Sequence, residues 1–341
     1  MSDFWLLAGL IAAAAGAVSY GLIVILGASF ARFALAQPNA RSSHKQPTPQ
    51  GGGVAVIGAV IVVIAGCVLA GVDLNDLYRL GTVLCAAVLL ALVGAADDVR
   101  PLGAAPRLAL QIAAALLVVA AIPAEMRVVQ WLPFWLERTA VLLGTVWFIN
   151  LVNFMDGIDW MSVAEIVPLT AGLTILGLLG ELPRDATAVA AGLLGAVLGF
   201  APFNRPVARL FLGDVGSLPI GLLLAWMLVL LAAKGHFAAA FLLPLYYLAD
   251  ATITLLHRLI RREPIAEAHR DHFYQRAVDG GYGIHRIVGS VFSINLVLVL
   301  LALVSVLNPS AAYQMILLAF GCVGVGILLW NFDVASVRRA R

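Results

Sequence analysis

Long apolar runs divide this chain, and their length decides what it can fold into. A bilayer core takes about 20 apolar residues per helix, with roughly 17–25 tolerated. On that template eleven spans fit, at approximately 4–31, 52–72, 77–96, 106–122, 139–155, 161–180, 186–202, 216–233, 237–256, 287–307 and 312–332. Lipid offers no partner to a backbone N–H or C=O, so each span is expected to be helical. Composition agrees: 62% of the 341 residues are hydrophobic and 12% are charged, against about 25% charged in an ordinary soluble domain. The expected fold is all-α and integral to the membrane, one polytopic domain over residues 1–341 with a basic, histidine-bearing loop at 257–286. Gly and Pro interrupt the seventh and eighth spans. The N-terminus, Met1-Ser2-Asp3-Phe4-Trp5, has no basic n-region and leads into a stretch too long for a signal h-region, so it reads as a retained first span. Cys67, Cys85 and Cys322 all lie in apolar runs, with an odd count and wide spacing that give neither a disulfide framework nor a zinc pattern.

Orientation follows from the loop cations. With the N-terminus outside and the C-terminus cytoplasmic, inside segments hold 16 of the 21 Lys and Arg residues and outside segments hold 5. In that orientation every unusual polar cluster falls on the cytoplasmic side. These are Ser43-His44-Lys45 to Gly53, Asp97-Asp98, Asn153 to Asp159, Leu212 to Ser217, and loop 257–286. Polar groups at the mouth of an apolar segment are costly to place, which marks a site. Five separate loops facing one side can build a composite one. The outside loops are short and nondescript.

Each cluster has its own chemistry. Asp97 and Asp98 end the third span; neighbours on a helix point about 100° apart, so one can bind or take a proton while the other holds it in place. Asn153, Asp156 and Asp159 are three apart, a spacing that a helical turn would align on one face. Three oxygen donors suit a hard cation such as Mg²⁺, although a solvated helix end is the plain alternative. Gly157 would let the backbone bend. Asp214 lies between Gly213 and Gly216, where the backbone can approach a phosphate or metal closely, or where Asp214 simply caps a helix. Loop 257–286 carries His257, His269, His272 and His285 with six arginines, which suits phosphate groups; a basic loop resting on anionic lipid is the plain alternative. No Walker loop, nicotinamide fingerprint, helical zinc motif or nucleic-acid patch is present.

Taken together and in order, Asp97-Asp98, Asn153-Phe154-Met155-Asp156-Gly157-Ile158-Asp159, Phe211-Leu212-Gly213-Asp214-Val215-Gly216-Ser217 and Ala268-His269-Arg270-Asp271-His272 resemble the polyprenyl-phosphate N-acetylhexosamine-1-phosphate transferases (glycosyltransferase family 4). The resemblance extends from Pro38 to loop 257–286. It implies that Asn153 and Asp214 bind Mg²⁺, with Mn²⁺ as a substitute. Asp97, Asp98 and Asp156 would form the catalytic set, Asp97 and Asp98 handling the lipid phosphate. Asp159, His269, Arg270, His272 and, more loosely, Lys45 would contact the nucleotide sugar. Pro38-Asn39-Ala40-Arg41-Ser42-Ser43-His44 and the His-Arg-Asp-His form are similar to the O-antigen-initiating subgroup. Trp160 departs from the glycine that many members carry there.

The implied reaction moves N-acetylhexosamine-1-phosphate from a UDP-HexNAc to undecaprenyl phosphate and releases UMP, at the cytoplasmic face of the bacterial inner membrane. Membrane lipid is a partner, nucleic acid is not, and a homodimer is compatible with the sequence. The rival from another class is a membrane transporter of an anionic substrate. Transporters place ionisable groups near mid-depth and often repeat, whereas these acids sit at one face. Asp250, inside the ninth span, is the exception. A CDP-alcohol phosphotransferase would need Ala-Arg two residues after Asp156-Gly157, where Trp160-Met161 stand.

Overall fold

The computed structural model describes residues 2–33, 35–36, 47–264, 269–308 and 310–339. Lys45, with Ser43 and His44, lies outside the described residues.

The described chain is an all-α bundle. Its helices are α1 (Ser2–Phe33), α2 (Gly52–Leu69), α3 (Leu77–Val99), α4 (Ala104–Ala121), α5 (Phe134–Met155), α6 (Met161–Leu178), α7 (Arg184–Asn204), α8 (Asp214–Ala233), α9 (Phe237–Leu242), α10 (Leu245–Ile260), α11 (Phe273–Asp279), α12 (Ile284–Val306) and α13 (Ala311–Arg339). A two-residue antiparallel pair, β1 (Leu35–Ala36) with β2 (Thr48–Pro49), precedes α2. Among the described residues ten helices are long and apolar enough to cross a membrane. They match ten of the eleven expected spans, and the protein is a multi-pass membrane protein.

The ninth span differs. It is broken into α9 and α10 at Leu243-Pro244. Pro removes a backbone donor and clashes with the preceding turn, so a helix ends or kinks there. Counted as one crossing, the pair completes eleven. The ends of the chain agree with that odd number. Arg184 lies over the Phe4 ring at 5.3 Å at one end of the bundle, while Arg276 bonds Asp333 at 2.5 Å at the other.

α8 is the centre. It is apolar all round and almost wholly buried, as expected for a helix surrounded by others. It packs against α2, α3, α5 and α9, with Trp226, Met227 and Leu223 inside the core. α1 lies on α7 and α2, α6 lies between α7 and α12, and α13 carries α11. α1 and α13 are peripheral, and their outer faces present Leu10, Ile25, Phe320 and Trp330 to lipid.

Acids and bases pair closely at the end opposite the polar motifs. Arg79 reaches Asp185 at 2.7 Å with both side chains buried, and Arg184 meets Asp73 at 3.2 Å. Glu181 takes Lys234 at 3.1 Å and His236 at 2.7 Å, and Arg127 bonds Glu137. Sequence alone made these loops look nondescript; they are ionic clasps between helix ends.

Candidate active site

The N-terminus of α8 organises the site. The Asp98 carboxylate, on the last turn of α3, accepts the backbone N–H of Asp214 at 3.0 Å and of Val215 at 3.1 Å. A helix start leaves such N–H groups without partners, and a carboxylate there is favoured. The approach is close because Gly94 of α3 lies against the Asp214 backbone, where a Cβ would collide. Gly213 takes a positive φ of 75°, and its missing Cβ leaves room for the Asp98 carboxylate. The glycine before Asp214 thus serves Asp98.

Asp214 itself faces α5. Asn153 donates its Nδ2–H to Asp214 Oδ1 at 2.7 Å and to Ser217 Oγ at 2.9 Å. Asp97 accepts Leu102 N–H at 2.6 Å and Arg107 at 3.0 Å. The same Arg107 nitrogen lies 3.8 Å from Asp214. Among the described residues Arg107 is the one guanidinium in ion-pair contact with Asp97, Asp98, Asp156 or Asp214. The Gly-rich turn joins from the side: Gln50 donates to the Asp98 carbonyl at 3.0 Å, and Gly53 N–H bonds Leu212 O at 2.8 Å.

The expected single face of Asn153, Asp156 and Asp159 does not form. α5 ends at Met155, and Asp156 is already a C-cap at φ −84°, ψ 53°. The three side chains therefore diverge. Asp156 accepts Ser162 Oγ–H at 2.5 Å, while the buried Asp159 accepts Ala208 N–H at 3.0 Å and ties this stretch to the α7–α8 connection. Burial pushes the Asp156 carboxyl up to about 6, helped by the Asp98 and Asp159 charges and opposed by the Ser162 hydrogen bond. Gly157 has no positive φ; it is small because the Tyr274 hydroxyl occupies the space a Cβ would take.

Trp160 explains its own oddity. It sits in the left-handed region at φ 61°, where glycine costs least. Two bonds hold it there: its N–H donates to Asn204 Oδ1 and its indole N–H to Ala201 O, both at 2.8 Å.

The histidine motif comes to the same end of the bundle. Tyr274, at the start of α11, donates its hydroxyl to Phe154 O at 3.2 Å, two residues before Asp156. His269 and His272 stack with ring centroids 5.0 Å apart, and His272 stacks on Tyr274 at 5.8 Å. His272 is 2% exposed, whereas His269 and Arg270 are partly exposed. Arg270 bonds Asp279 at 2.9 Å. The structure thus brings Asp97, Asp98, Asn153, Asp156, Asp159 and Asp214 to one end, with His269, Arg270 and His272 linked to them through Tyr274.

The sequence motifs do not single out Arg107, Ser162 or Asn204; for Arg107 the usable signal is a cation ten residues after Asp97.

The donor chemistry fits a hard divalent cation. Asp214 and Asn153 supply a carboxylate and a carboxamide in direct contact, in a neighbourhood of like charge that Arg107 only partly offsets. Among the described residues no group of three or more His, Cys, Asp or Glu side chains is arranged to hold a metal. Mg²⁺ takes only one or two protein carboxylates and fills its shell with water or phosphate oxygen.

The chain is similar to known proteins over the segment that holds these residues. The family pattern "Glycosyl transferase family 4" matches residues 80–232, which contain Asp97 to Asp214. A probable undecaprenyl-phosphate N-acetylglucosaminyl 1-phosphate transferase of Bacillus subtilis is 24% identical over 77% of this chain and 76% of its own length. A decaprenyl-phosphate N-acetylglucosaminephosphotransferase of Mycolicibacterium smegmatis is 32% identical over 64% of this chain and 58% of its own length. A phospho-N-acetylmuramoyl-pentapeptide-transferase of Streptococcus thermophilus is 36% identical over a shorter stretch, 34% of this chain and 33% of its own. With its four motifs gathered at one end of an all-α membrane bundle, the chain is similar to the polyprenyl-phosphate N-acetylhexosamine-1-phosphate transferases, and the pattern match and the curated relatives support that family.

Proposed function

We propose that this protein transfers N-acetylhexosamine-1-phosphate from a UDP-HexNAc to undecaprenyl phosphate, releasing UMP, as a first lipid-linked step in O-antigen or related surface polysaccharide synthesis. The observation that carries the reading is the Asp98–Asp214–Asn153 contact, which joins three separate motifs on α3, α8 and α5.

The chemistry exchanges one phosphoanhydride for another. An oxygen of the lipid phosphate attacks the sugar-linked phosphorus of the donor; a new P–O–P bond forms as the bond to UMP breaks, and UMP leaves with the electron pair. No ATP is consumed. The lipid phosphate is already ionised near neutral pH, so direct in-line attack needs no strong base and is preferred to a covalent aspartyl phosphate. Asn153 and Asp214 would hold Mg²⁺, which when bound neutralises the diphosphate against the surrounding carboxylates.

The chain's own residues do the rest. Asp98 fixes the start of α8 and so the place of Asp214. Arg107, held by Asp97, offers positive charge beside the attacking and transferred phosphates. Asp156, held by Ser162, and Asp159, held on the α7–α8 connection, shape the nucleotide side, and Arg270 with His269 adds donors for the donor phosphates. The excess of Lys and Arg in the loops at this end supports a site facing the cytoplasm, which we read as that of a bacterium, where nucleotide sugars are soluble while the lipid tail stays in the inner-membrane bilayer. Against the transporter reading, the acids collect at one end, not at mid-depth.

The test is release of UMP from several UDP-HexNAc donors by purified protein with and without undecaprenyl phosphate. Lipid-dependent release with one donor supports the reading. No release with any donor, from folded protein, overturns it.

A further inference from the structure

Asp250 is a buried acid inside the ninth span that the reaction leaves unused. It lies on α10 and is fully buried. A charge there is costly unless donors surround it, and five do. Asp250 accepts the backbone N–H of Phe273 at 3.0 Å and of Tyr274 at 3.3 Å, the Tyr246 hydroxyl at 3.2 Å and the Thr254 hydroxyl at 3.4 Å; His272 Nδ1 lies 3.2 Å away. Three of these come from 22 to 24 residues further along the chain. A carboxylate only accepts, so His272 Nδ1 carries the proton.

We propose that Asp250 is the positioning residue of the His-Arg-Asp-His turn, and that His272 is an internal strut held by it while His269 and Arg270 meet the donor diphosphate. This rests on the transferase reading and alters one part of what the family resemblance implies, namely that both histidines contact the nucleotide sugar. Their partners separate them: His272, its side chain 3% exposed, has Nδ1 on the buried Asp250 and stacks between His269 and Tyr274, 6.5 Å from the Phe154 ring, whereas the His269 side chain, 10% exposed, lies 3.6 Å from the half-exposed Asp271. The strut also has a direction. Asp250 seats the start of α11, α11 carries Tyr274, and Tyr274 bonds Phe154 O beside Asp156. The carboxylate on the broken ninth span therefore sets the spacing between the histidine turn and the Asn153–Asp159 wall. Arg276, bonded to Asp333, braces the far side of α11 against α13.

The first test needs no activity. Full-length protein in lipid nanodiscs is labelled with diethyl pyrocarbonate, and the rate at each histidine is read by mass spectrometry, with exposed His257 and His285 as internal references. His272 is expected to react at least roughly tenfold more slowly than His257. Asp250→Asn should raise the His272 rate by roughly tenfold, the scale of one charge-assisted hydrogen bond, and Asp250→Glu should raise it less. His272 reacting as fast as His257, or an unchanged rate in Asp250→Asn, overturns the assignment. If Asp250→Asn does not fold, Tyr246→Phe, which removes one donor to the carboxylate, decides by the same readout: a faster His272 supports the proposal and an unchanged one overturns it.

The second test is kinetic. Asp250→Asn should raise KM for the UDP-sugar roughly tenfold while KM for undecaprenyl phosphate stays within about twofold. Its effect should also be non-additive with His269→Gln. Equal rises in both KM values, or additivity, would mean a merely structural acid and overturn the proposal. If wild-type protein releases no UMP, the transferase reading falls, and the labelling result still decides what Asp250 does.

Discussion

The acids that clasp the helices at one end of the bundle and three of the site acids at the other are held in opposite ways. At one end Asp185, Asp73, Glu181 and Glu137 each meet a basic partner: Arg79, Arg184, Lys234 with His236, and Arg127. At the other, Asp98, Asp156 and Asp214 are satisfied mainly by neutral donors, namely backbone N–H groups, a serine hydroxyl and a carboxamide. Neutral donors fix a carboxylate's position and leave its charge in place. Acids that hold a fold together are neutralised locally, and acids kept charged in a cluster await a cation or a cationic complex.

The largest effect expected from this contrast is at Asp214. Asp214→Asn should lower turnover on the order of 10³-fold, equivalent to losing several kcal/mol of charge stabilisation, with thermal stability in detergent unchanged or raised. Arg79→Ala at the opposite end should do the reverse. It strands the buried Asp185 and should cost about 3–5 kcal/mol of stability, while the protein that remains folded keeps its KM for the UDP-sugar. A thermal melt paired with a UMP-release assay reads both, and equal behaviour of the two variants would erase the distinction between the ends.

A pH profile gives a smaller effect. Burial and the neighbouring charges raise the Asp156 carboxyl from 3.8 to about 6. An acid raised on folding destabilises the protein above its folded pKa and stops doing so below its unfolded one. In EDTA, the melting temperature should therefore rise as pH falls from about 7 toward 4, and Asp156→Asn should flatten that rise. A wild-type profile that falls steadily over the same window would contradict the crowded-charge account.

The smallest effect concerns Trp160. Glycine there would relieve roughly 1–2 kcal/mol of left-handed strain but lose the two bonds that Trp160 makes. Trp160→Gly should fold with stability within about 1 kcal/mol of wild type, whereas Trp160→Val, β-branched at positive φ, should be clearly less stable.

Much of this was legible in the sequence. Span length against bilayer thickness gave ten helices outright, and motif order placed the acids at one end. The break in the ninth span had a visible cause in Pro244. What spacing alone could not give was where α5 stops. Asn153, Asp156 and Asp159 suit a helical face, but the helix ends at Met155, and the different partners of Asp156 and Asp159, Ser162 and Ala208, lie on later segments. Asp250 was opaque for a similar reason: three of its five partners lie at the start of α11 or just before it, beyond a turn whose path no local pattern encodes. Trp160's conformation likewise follows from Asn204 and Ala201, on another helix.

The central claim is that the carboxylates at one end form a divalent-cation-dependent diphosphate site. It is tested most directly by the Mg²⁺ dependence of UMP release from a UDP-HexNAc in the presence of undecaprenyl phosphate. The account predicts no release in EDTA, saturable recovery with Mg²⁺ and recovery with Mn²⁺, all lost in Asp214→Asn and kept in Asp73→Asn. Full release in EDTA, or an Asp214→Asn protein with the wild-type Mg²⁺ response, would contradict it.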